Sequence, residues 1–330
     1  MCLYPKLIKN PKYIPNKKNG GVVPQYKDPR VLWVPIGCQK CIECKRKKAR
    51  EWQVRLSEDL RENKNGRFIT FTYDDKSLRK LERGIKLDGY DLDNEVASIS
   101  IERFRERWRK KYGKSIRHWL VTELGGTRTE RLHIHGIVWT DKPKEEIQKM
   151  WKYGNIWEGT FVSDITINYI VKYINKTDSK HENYNSKIFT SKGIGANYTS
   201  RIDAENNKFK PGATNEAYKN RQGIKRALPI YYRNKLYSEE ERELLWLEKL
   251  DQEKRWVDKK EIDISDSEEE YYKALEEART KNKRLGYGDD VINWKKKKYE
   301  QHRRNLKKQE RINKLYENYT TKRFISKKRK

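Results

Sequence analysis

Two histidines stand one residue apart, His133 and His135, in the apolar run RLHIHGIVW at residues 131–139, in a chain with only five histidines. In an extended strand, side chains i and i+2 project to the same face. His133, His135, Ile137 and Trp139 then share one face, and Leu132, Ile134, Gly136 and Val138 the other, which is apolar and suited to packing under helices. Two imidazoles side by side on a fixed backbone suit metal binding, because imidazole is the commonest metal-binding side chain. The plainer alternative is two half-buried rings hydrogen-bonded to their neighbours. The preceding run HWLVTELGG ends near Glu123. Across an antiparallel hairpin that carboxylate comes beside the imidazoles and completes a set of two nitrogens and one oxygen. Mg²⁺ or Mn²⁺ accepts such a set with positions left for water and phosphate, and Zn²⁺ with a bound water is the alternative. A His-x-His-x-His arrangement is excluded, because Ile137 stands where the third histidine would be.

The second group is INYIVKYINK, residues 167–176. On a helix of 3.6 residues per turn, Ile167, Ile170, Val171 and Ile174 form one core-facing stripe. Tyr169, Tyr173 and Lys176 fall on the opposite stripe with Lys172 beside it. The chain has 21 tyrosines, so surface tyrosines are the plain alternative. A metal that polarises phosphate, two hydroxyl nucleophiles and lysines to hold negative charge are nonetheless the parts of a transesterase acting on a nucleic-acid backbone. A phenol with its usual pKa of about 10 is a poor nucleophile at neutral pH, and Lys172 or Lys176 is expected to favour the phenolate.

The surrounding sequence supplies elements to position these groups. From Lys45 onward a helix is predicted, with Trp52, Leu56 and Leu60 on one stripe. GRFITFTYDD is predicted as a strand, in which Thr70 and Thr72 support the sheet beside the histidines. ISIERFRERWRKKYG is predicted as a basic helix with a serine cap and Gly113 as its stop. Runs 117–123 and 131–139 form a hairpin across a Gly-Gly loop. A short helix at EEIQKMWKYG and an extended NIWEGTFVSD precede the tyrosine helix. SKGIGANY, with Gly193 and Gly195, is either a tight loop where backbone approaches phosphate or an ordinary turn. The first 36 residues are loop with short strands. Beyond about residue 200, SEEERELLWLEKLDQEKRWVDKKE and EEYYKALEEARTKNKRLG are predicted as helices with opposite charges spaced for i,i+4 pairing. Three regions follow: a Cys-containing segment over 1–50, a catalytic or binding domain over 51–200, and a basic helical region over 201–330.

Composition narrows the partners. The 330 residues carry 77 Lys+Arg against 48 Asp+Glu, a formal charge of +29. A field of that sign collects polyanions, nucleic acid foremost, and the 10 tryptophans and 21 tyrosines offer rings for bases to stack on. Neither an 18-residue apolar run nor a secretory leader is present, so no membrane is expected and a reducing cytoplasm is. There Cys2, Cys38, Cys41 and Cys44 serve as thiols or metal ligands rather than disulfides. Four thiolates suit tetrahedral Zn²⁺ if the N-terminus folds back; an iron–sulfur cluster uses similar ligands, and uncoordinated thiols are the remaining alternative. The basic run Lys45, Arg46, Lys47, Lys48 and Arg50 is either a DNA contact or a solvated face. The tail TTKRFISKKRK either adds salt-sensitive DNA affinity or is a solubilising end.

FITFTY, HIHG and YIVKYINK, in that order, resemble the three motifs of the HUH endonucleases that initiate rolling-circle replication. The two-tyrosine form resembles the replication initiators of microviruses, and GCQKCIECKRKKAREW and SKGIGANY look most like the gokushovirus branch. The resemblance covers roughly residues 1–200. It implies an α+β fold with a five-stranded antiparallel sheet flanked by helices, and Mg²⁺ or Mn²⁺ on His133 and His135, with Glu123 in the more variable third position. It further implies that Tyr169 and Tyr173 alternate as nucleophiles on viral origin DNA in the host bacterial cytoplasm. One cut leaves a 5′-phosphotyrosyl link and a 3′-OH for polymerase, with a host helicase as partner, and the other lets the released strand close. The competing expectations are a plasmid initiator or transposase of the same superfamily, and a non-catalytic nucleic-acid-binding protein with a structural zinc site.

Overall fold

The computed structural model describes residues 1–126, 130–176, 181, 184–289, 301, 304, 305, 308 and 311–319; the tail at 320–330 lies outside them. The elements run β1 (Lys6–Lys9), β2 (Trp33–Ile36), α1 (Ile42–Glu62), β3 (Gly66–Phe71), α2 (Asp75–Glu82), α3 (Gly89–Tyr112), β4 (Arg117–Leu124), β5 (Leu132–Trp139), α4 (Lys144–Met150), β6 (Ile156–Phe161), α5 (Asp164–Asn175) and β7 (Ile188–Thr190). They continue with α6 (Ile202–Glu205), β8 (Ala217–Lys219), β9 (Lys225–Ala227), α7 (Ile230–Leu236), α8 (Glu239–Asp251), β10 (Lys254–Val257), β11 (Lys260–Asp263) and α9 (Glu269–Arg284). Two compact units result, Met1–Arg55 with Ala196–Val291 and Leu56–Gly195 with Ile292–Lys330. Among the described residues no helix is long and apolar enough to cross a membrane.

The second unit holds the five-stranded sheet, in the order β6-β3-β5-β4-β7 with every pair antiparallel. The α+β fold with a five-stranded antiparallel sheet and flanking helices is borne out. Ile134, Val138, Leu120, Ile69 and Phe71 bury one face in a cluster with Val96, Ala97, Ile101, Phe104 and Trp108 of α3. That is the small, apolar face predicted for β5. Gly136 is what lets β5 approach β4 there: a Cβ on it would lie 2.1 Å from the Trp119 carbonyl oxygen and 2.7 Å from Leu120 Cα.

Helix α3 stops as expected, with Gly113 at φ 74° and its N–H on the Arg109 carbonyl. Its start is different. The expected serine cap, Ser100, is fully buried mid-helix, and α3 begins well before it at Gly89. Ser100 Oγ bonds the Ala97 carbonyl at 2.9 Å and the Tyr73 hydroxyl at 2.5 Å. A serine can satisfy its hydroxyl inside a helix this way, so its presence does not mark an end.

Asp93 of α3 is buried against Arg304, whose Nε and Nη2 donate to its two carboxylate oxygens at 2.9 and 3.1 Å, with Lys308 Nζ at 3.4 Å. Burial alone would raise the Asp93 pKa, but the charges of Arg304 and Lys308 outweigh it and hold the carboxyl below its ordinary value. A depressed carboxylate stabilises the fold above its unfolded pKa and loses that contribution as pH falls through the folded one. Arg304→Ala leaves the charge buried and is expected to cost about 3–5 kcal/mol in urea unfolding at neutral pH. The deficit relative to wild type should shrink as pH drops below about 4; an undiminished deficit at acid pH would contradict the ion-pair origin.

The first unit departs from the sequence at one place. The charged stretch 238–261 reads as one helix, but α8 ends at Asp251, and β10 and β11 pair as a hairpin. Asp258 and Lys259 at its tip have φ of 40° and 76°, the left-handed pair that a two-residue hairpin turn requires. Val257 and Ile262 are buried. Charges spaced for helical pairing occur on a hairpin as well, and two buried apolar side chains decided the outcome.

Candidate active site

The site is built on three elements of the sheet unit. Strand pairing sets Glu123 opposite His133 and both Val121 and Thr70 opposite His135. The two imidazoles stack at 6.2 Å, as a shared strand face requires. His133 Nδ1 lies 2.8 Å from the Arg131 carbonyl. A carbonyl only accepts, so this nitrogen carries the proton and Nε2 keeps its lone pair. His135 Nδ1 lies 2.9 Å from Thr70 Oγ1 and its Nε2 2.7 Å from Glu123 Oε2. The other Glu123 oxygen accepts from Lys176.

Burial alone would raise the Glu123 pKa, but the hydrogen bonds from His135 and Lys176 outweigh it and keep the carboxyl below its ordinary value. Burial, and then the neighbouring His135, push His133 down toward the neutral form, which is the form that ligates metal. The donor set, two ring nitrogens anchored through the opposite ring atom and one ionised carboxylate, suits a divalent cation. It is less drawn together than Cys2, Cys38, Cys41 and Cys44, whose ligand atoms all lie within 4.8 Å of one another.

Thr70 suits both states of His135, because a hydroxyl accepts when Nδ1 carries the proton and donates when it does not. Its support of the histidine face matches the expectation from FITFTY, whereas Thr72 bonds the Asn155 carbonyl. Thr70→Val is expected to weaken Mn²⁺ binding about 10- to 100-fold, the usual effect of removing a partner that orients a ligand. Titration calorimetry checks this, and an unchanged affinity would remove Thr70 from the site.

Helix α5 packs on β4 with its predicted stripe Ile167, Ile170, Val171 and Ile174 buried. Ser163 and Thr166 form a capping box at its start. The phenols flank that stripe. The Tyr173 ring stacks on His135 with centroids 4.4 Å apart and planes 5° from parallel. Its hydroxyl donates to the Tyr169 hydroxyl at 2.8 Å, and Tyr169 is 49% exposed. Burial, the bond to Tyr169 and the Glu123 carboxylate all push the Tyr173 pKa well above that of an ordinary phenol.

The expected help from the lysines is therefore absent in this state. Lys176 Nζ lies 6.0 Å over the Tyr173 ring but pairs with Glu123, and Lys172 is an exposed residue of the last turn. A set of rings beside the phenols was not anticipated. Phe68 meets Trp157 and Tyr169 edge-on at 5.7 and 6.0 Å, while Trp157, Phe161 and Ile165 are 56%, 90% and 80% exposed. Their cue in the sequence was a strand, NIWEGTF, with large apolar residues whose burial only the fold decides.

Two other predicted sites lie elsewhere. Gly193 and Gly195 have φ of 75° and 69°, but the Gly195 N–H goes to buried Asp59 at 2.8 Å and the Gly193 carbonyl accepts from Arg117 at 3.1 Å. Asp59 and Arg117 also pair with each other, so the loop is an internally bonded turn. In the basic run, Lys47 and Arg50 are exposed and Lys48 half-buried. Lys45 is buried, 5.8 Å over the Tyr287 ring, and Arg46 lies 3.4 Å from both Glu43 and Asp258.

Histidine strand, acidic partner and tyrosine helix on one antiparallel sheet define a class, and sequence comparison points to the same one: residues 66–178 match a family of replication-associated proteins, the ORF2 family. The chain is similar to replication-associated protein ORF4 of Chlamydia phage 1, with 25% identity over 197 residues, 50% of this chain and 46% of that protein. It is also similar to replication-associated protein VP4 of Bdellovibrio phage phiMH2K, with 27% identity over 159 residues, 42% of this chain and 47% of that protein. The aligned parts span about half the length of these relatives. No solved structure matches the chain. The resemblance to replication-associated proteins of microviruses is thus borne out.

Proposed function

We propose that the protein initiates rolling-circle replication of a small single-stranded DNA phage by cutting the origin strand with a tyrosine and later rejoining it. The observation that carries this reading is the stack of Tyr173 on His135, with Tyr169 bonded to the same hydroxyl. It brings two nucleophile candidates to the imidazole face.

His133, His135 and Glu123 would hold Mg²⁺ or Mn²⁺, which when bound supplies Lewis-acid polarisation of the scissile phosphate. The attacking phenol oxygen forms a bond to phosphorus as the bond to the 3′-oxygen breaks. The phenol gives up its proton and the 3′-oxygen takes one. One phosphodiester replaces another, so no nucleotide is consumed and the covalent end stores the energy for resealing. Lys176 offers positive charge near the phosphate once Glu123 turns to the ion. The second tyrosine attacks the regenerated origin, freeing the first strand end to close. Host polymerase would extend the 3′-OH behind a host helicase in the bacterial cytoplasm.

Trp157, Phe161 and Tyr169 would stack bases flanking the cut. Each base–aromatic stack is worth about 1–3 kcal/mol, so Trp157→Ala is expected to weaken single-stranded DNA binding about 5- to 150-fold. At 56% exposure the ring contributes little to the core, and the circular dichroism should not change. Fluorescence anisotropy with a short oligonucleotide measures the loss; undiminished binding would place the DNA elsewhere.

The test of the function is incubation with labelled candidate-origin oligonucleotides and Mg²⁺ or Mn²⁺. A covalent protein–DNA band in a denaturing gel is expected. Tight binding without coupling across the origin set would instead make this a binding protein whose histidines and tyrosines only pack.

A further inference from the structure

In the first unit, four cysteines from three separate places in the chain meet. Cys2 precedes β1, Cys38 and Cys41 lie in the turn after β2, and Cys44 is in the first turn of α1. Their sulfurs all lie within 4.8 Å of one another, with Cys2 and Cys41 at 3.9 Å. All four are free thiols, so no disulfide explains their convergence. A tetrahedral ion with bonds to sulfur of about 2.3 Å places its ligands about 3.8 Å apart. A four-iron cluster sets a cage of iron and sulfide between its thiolates and needs them wider.

The backbone is arranged around the sulfurs. Cys2 Sγ accepts the N–H groups of Tyr4 and Cys38 at 3.3 and 3.2 Å, and Cys38 Sγ accepts that of Cys41 at 3.3 Å. Such donors favour thiolate. Gln39, at φ 63°, makes the tight bend between Cys38 and Cys41. At Gly37 a Cβ would lie 3.0 Å from Cys44 Sγ, so a larger residue would crowd the group. Leu3, Ile42, Val257, Leu275 and Ala278 bury it.

We propose that Cys2, Cys38, Cys41 and Cys44 bind one zinc ion as a tetrathiolate, tying the Cys2 segment to the head of α1. Four thiols lose their protons as the ion binds, and no electron is transferred. The site is separate from the histidines and stands or falls independently of the proposed cutting reaction.

Elemental analysis of the full-length protein, purified without added metal, is expected to find about one zinc per chain. Exchange for Co²⁺ should give the intense thiolate charge-transfer and visible bands of tetrahedral sulfur coordination. Cys41→Ser should lose the zinc, whereas His133→Ala together with His135→Ala should retain it. Iron with acid-labile sulfide in place of zinc would overturn the proposal. So would metal-free wild-type protein that is folded and whose four thiols react at once with a thiol reagent. If Cys41→Ser does not fold, the wild-type metal content and cobalt spectrum decide the matter.

Discussion

Tyr169→Phe combined with Tyr173→Phe is expected to lower the rate of covalent DNA coupling by on the order of 10⁴-fold or more, because no oxygen remains to attack phosphorus. The substitution is mild for the fold. Phenylalanine keeps the ring that stacks on His135 and the edge contact to Phe68, and removes only the mutual bond between two hydroxyls. Oligonucleotide affinity should therefore stay within a few-fold of wild type, so lost coupling would report chemistry and not binding. The single variants separate the roles. Tyr173→Phe leaves Tyr169 with an exposed hydroxyl and no donor to it, and Tyr169→Phe frees Tyr173 of the acceptor that helps hold its proton. A nucleophile pair predicts that each single variant still couples to an origin strand but fails to release a closed circle. A double variant that couples as fast as wild type would eliminate both residues as nucleophiles.

The largest expected effect on stability comes from Gly136→Ala. The new methyl would lie 2.1 Å from a carbonyl oxygen and 2.7 Å from a Cα, both backbone atoms of β4. They cannot retreat cheaply, because β4 is paired on both sides, to β5 and β7. Overpacking against flexible side chains costs about 1–3 kcal/mol, and rigid backbone should bring the loss to the upper end of that range or beyond. Urea unfolding of the variant measures it. Gly126→Ala is the control, since a Cβ there meets nothing within 4 Å and should shift stability by less than about 0.5 kcal/mol. Equal losses at the two positions would mean that the close approach of β5 to β4 is wrong. Because Gly136 follows His135, a shifted strand should also displace the ring from Tyr173, and metal affinity should fall with stability.

Periodicity carried most of what the chain could say on its own. Alternation in RLHIHGIVW placed both imidazoles on one face, and the helical stripe of Ile167, Ile170, Val171 and Ile174 placed both phenols off the core. Each pattern is local: a strand or helix determines its own faces wherever it packs. Helix α3 and the β10–β11 hairpin show the limit even of local patterns, because a buried serine and charges at helical spacing suit more than one element.

Everything that joins separate elements needed the tertiary structure. No spacing reveals that Lys176 pairs with Glu123 and leaves the Tyr173 proton in place, that Trp157 and Phe161 stay exposed beside the phenols, or that Lys45 turns inward beneath a tyrosine. Cys2 and Cys38 are separated by 35 residues in the sequence, yet Cys2 accepts the Cys38 N–H. The physical reason is common to all of these. Pairings across long separations are selected by burial and charge balance over the whole fold, and a single element's sequence contains neither.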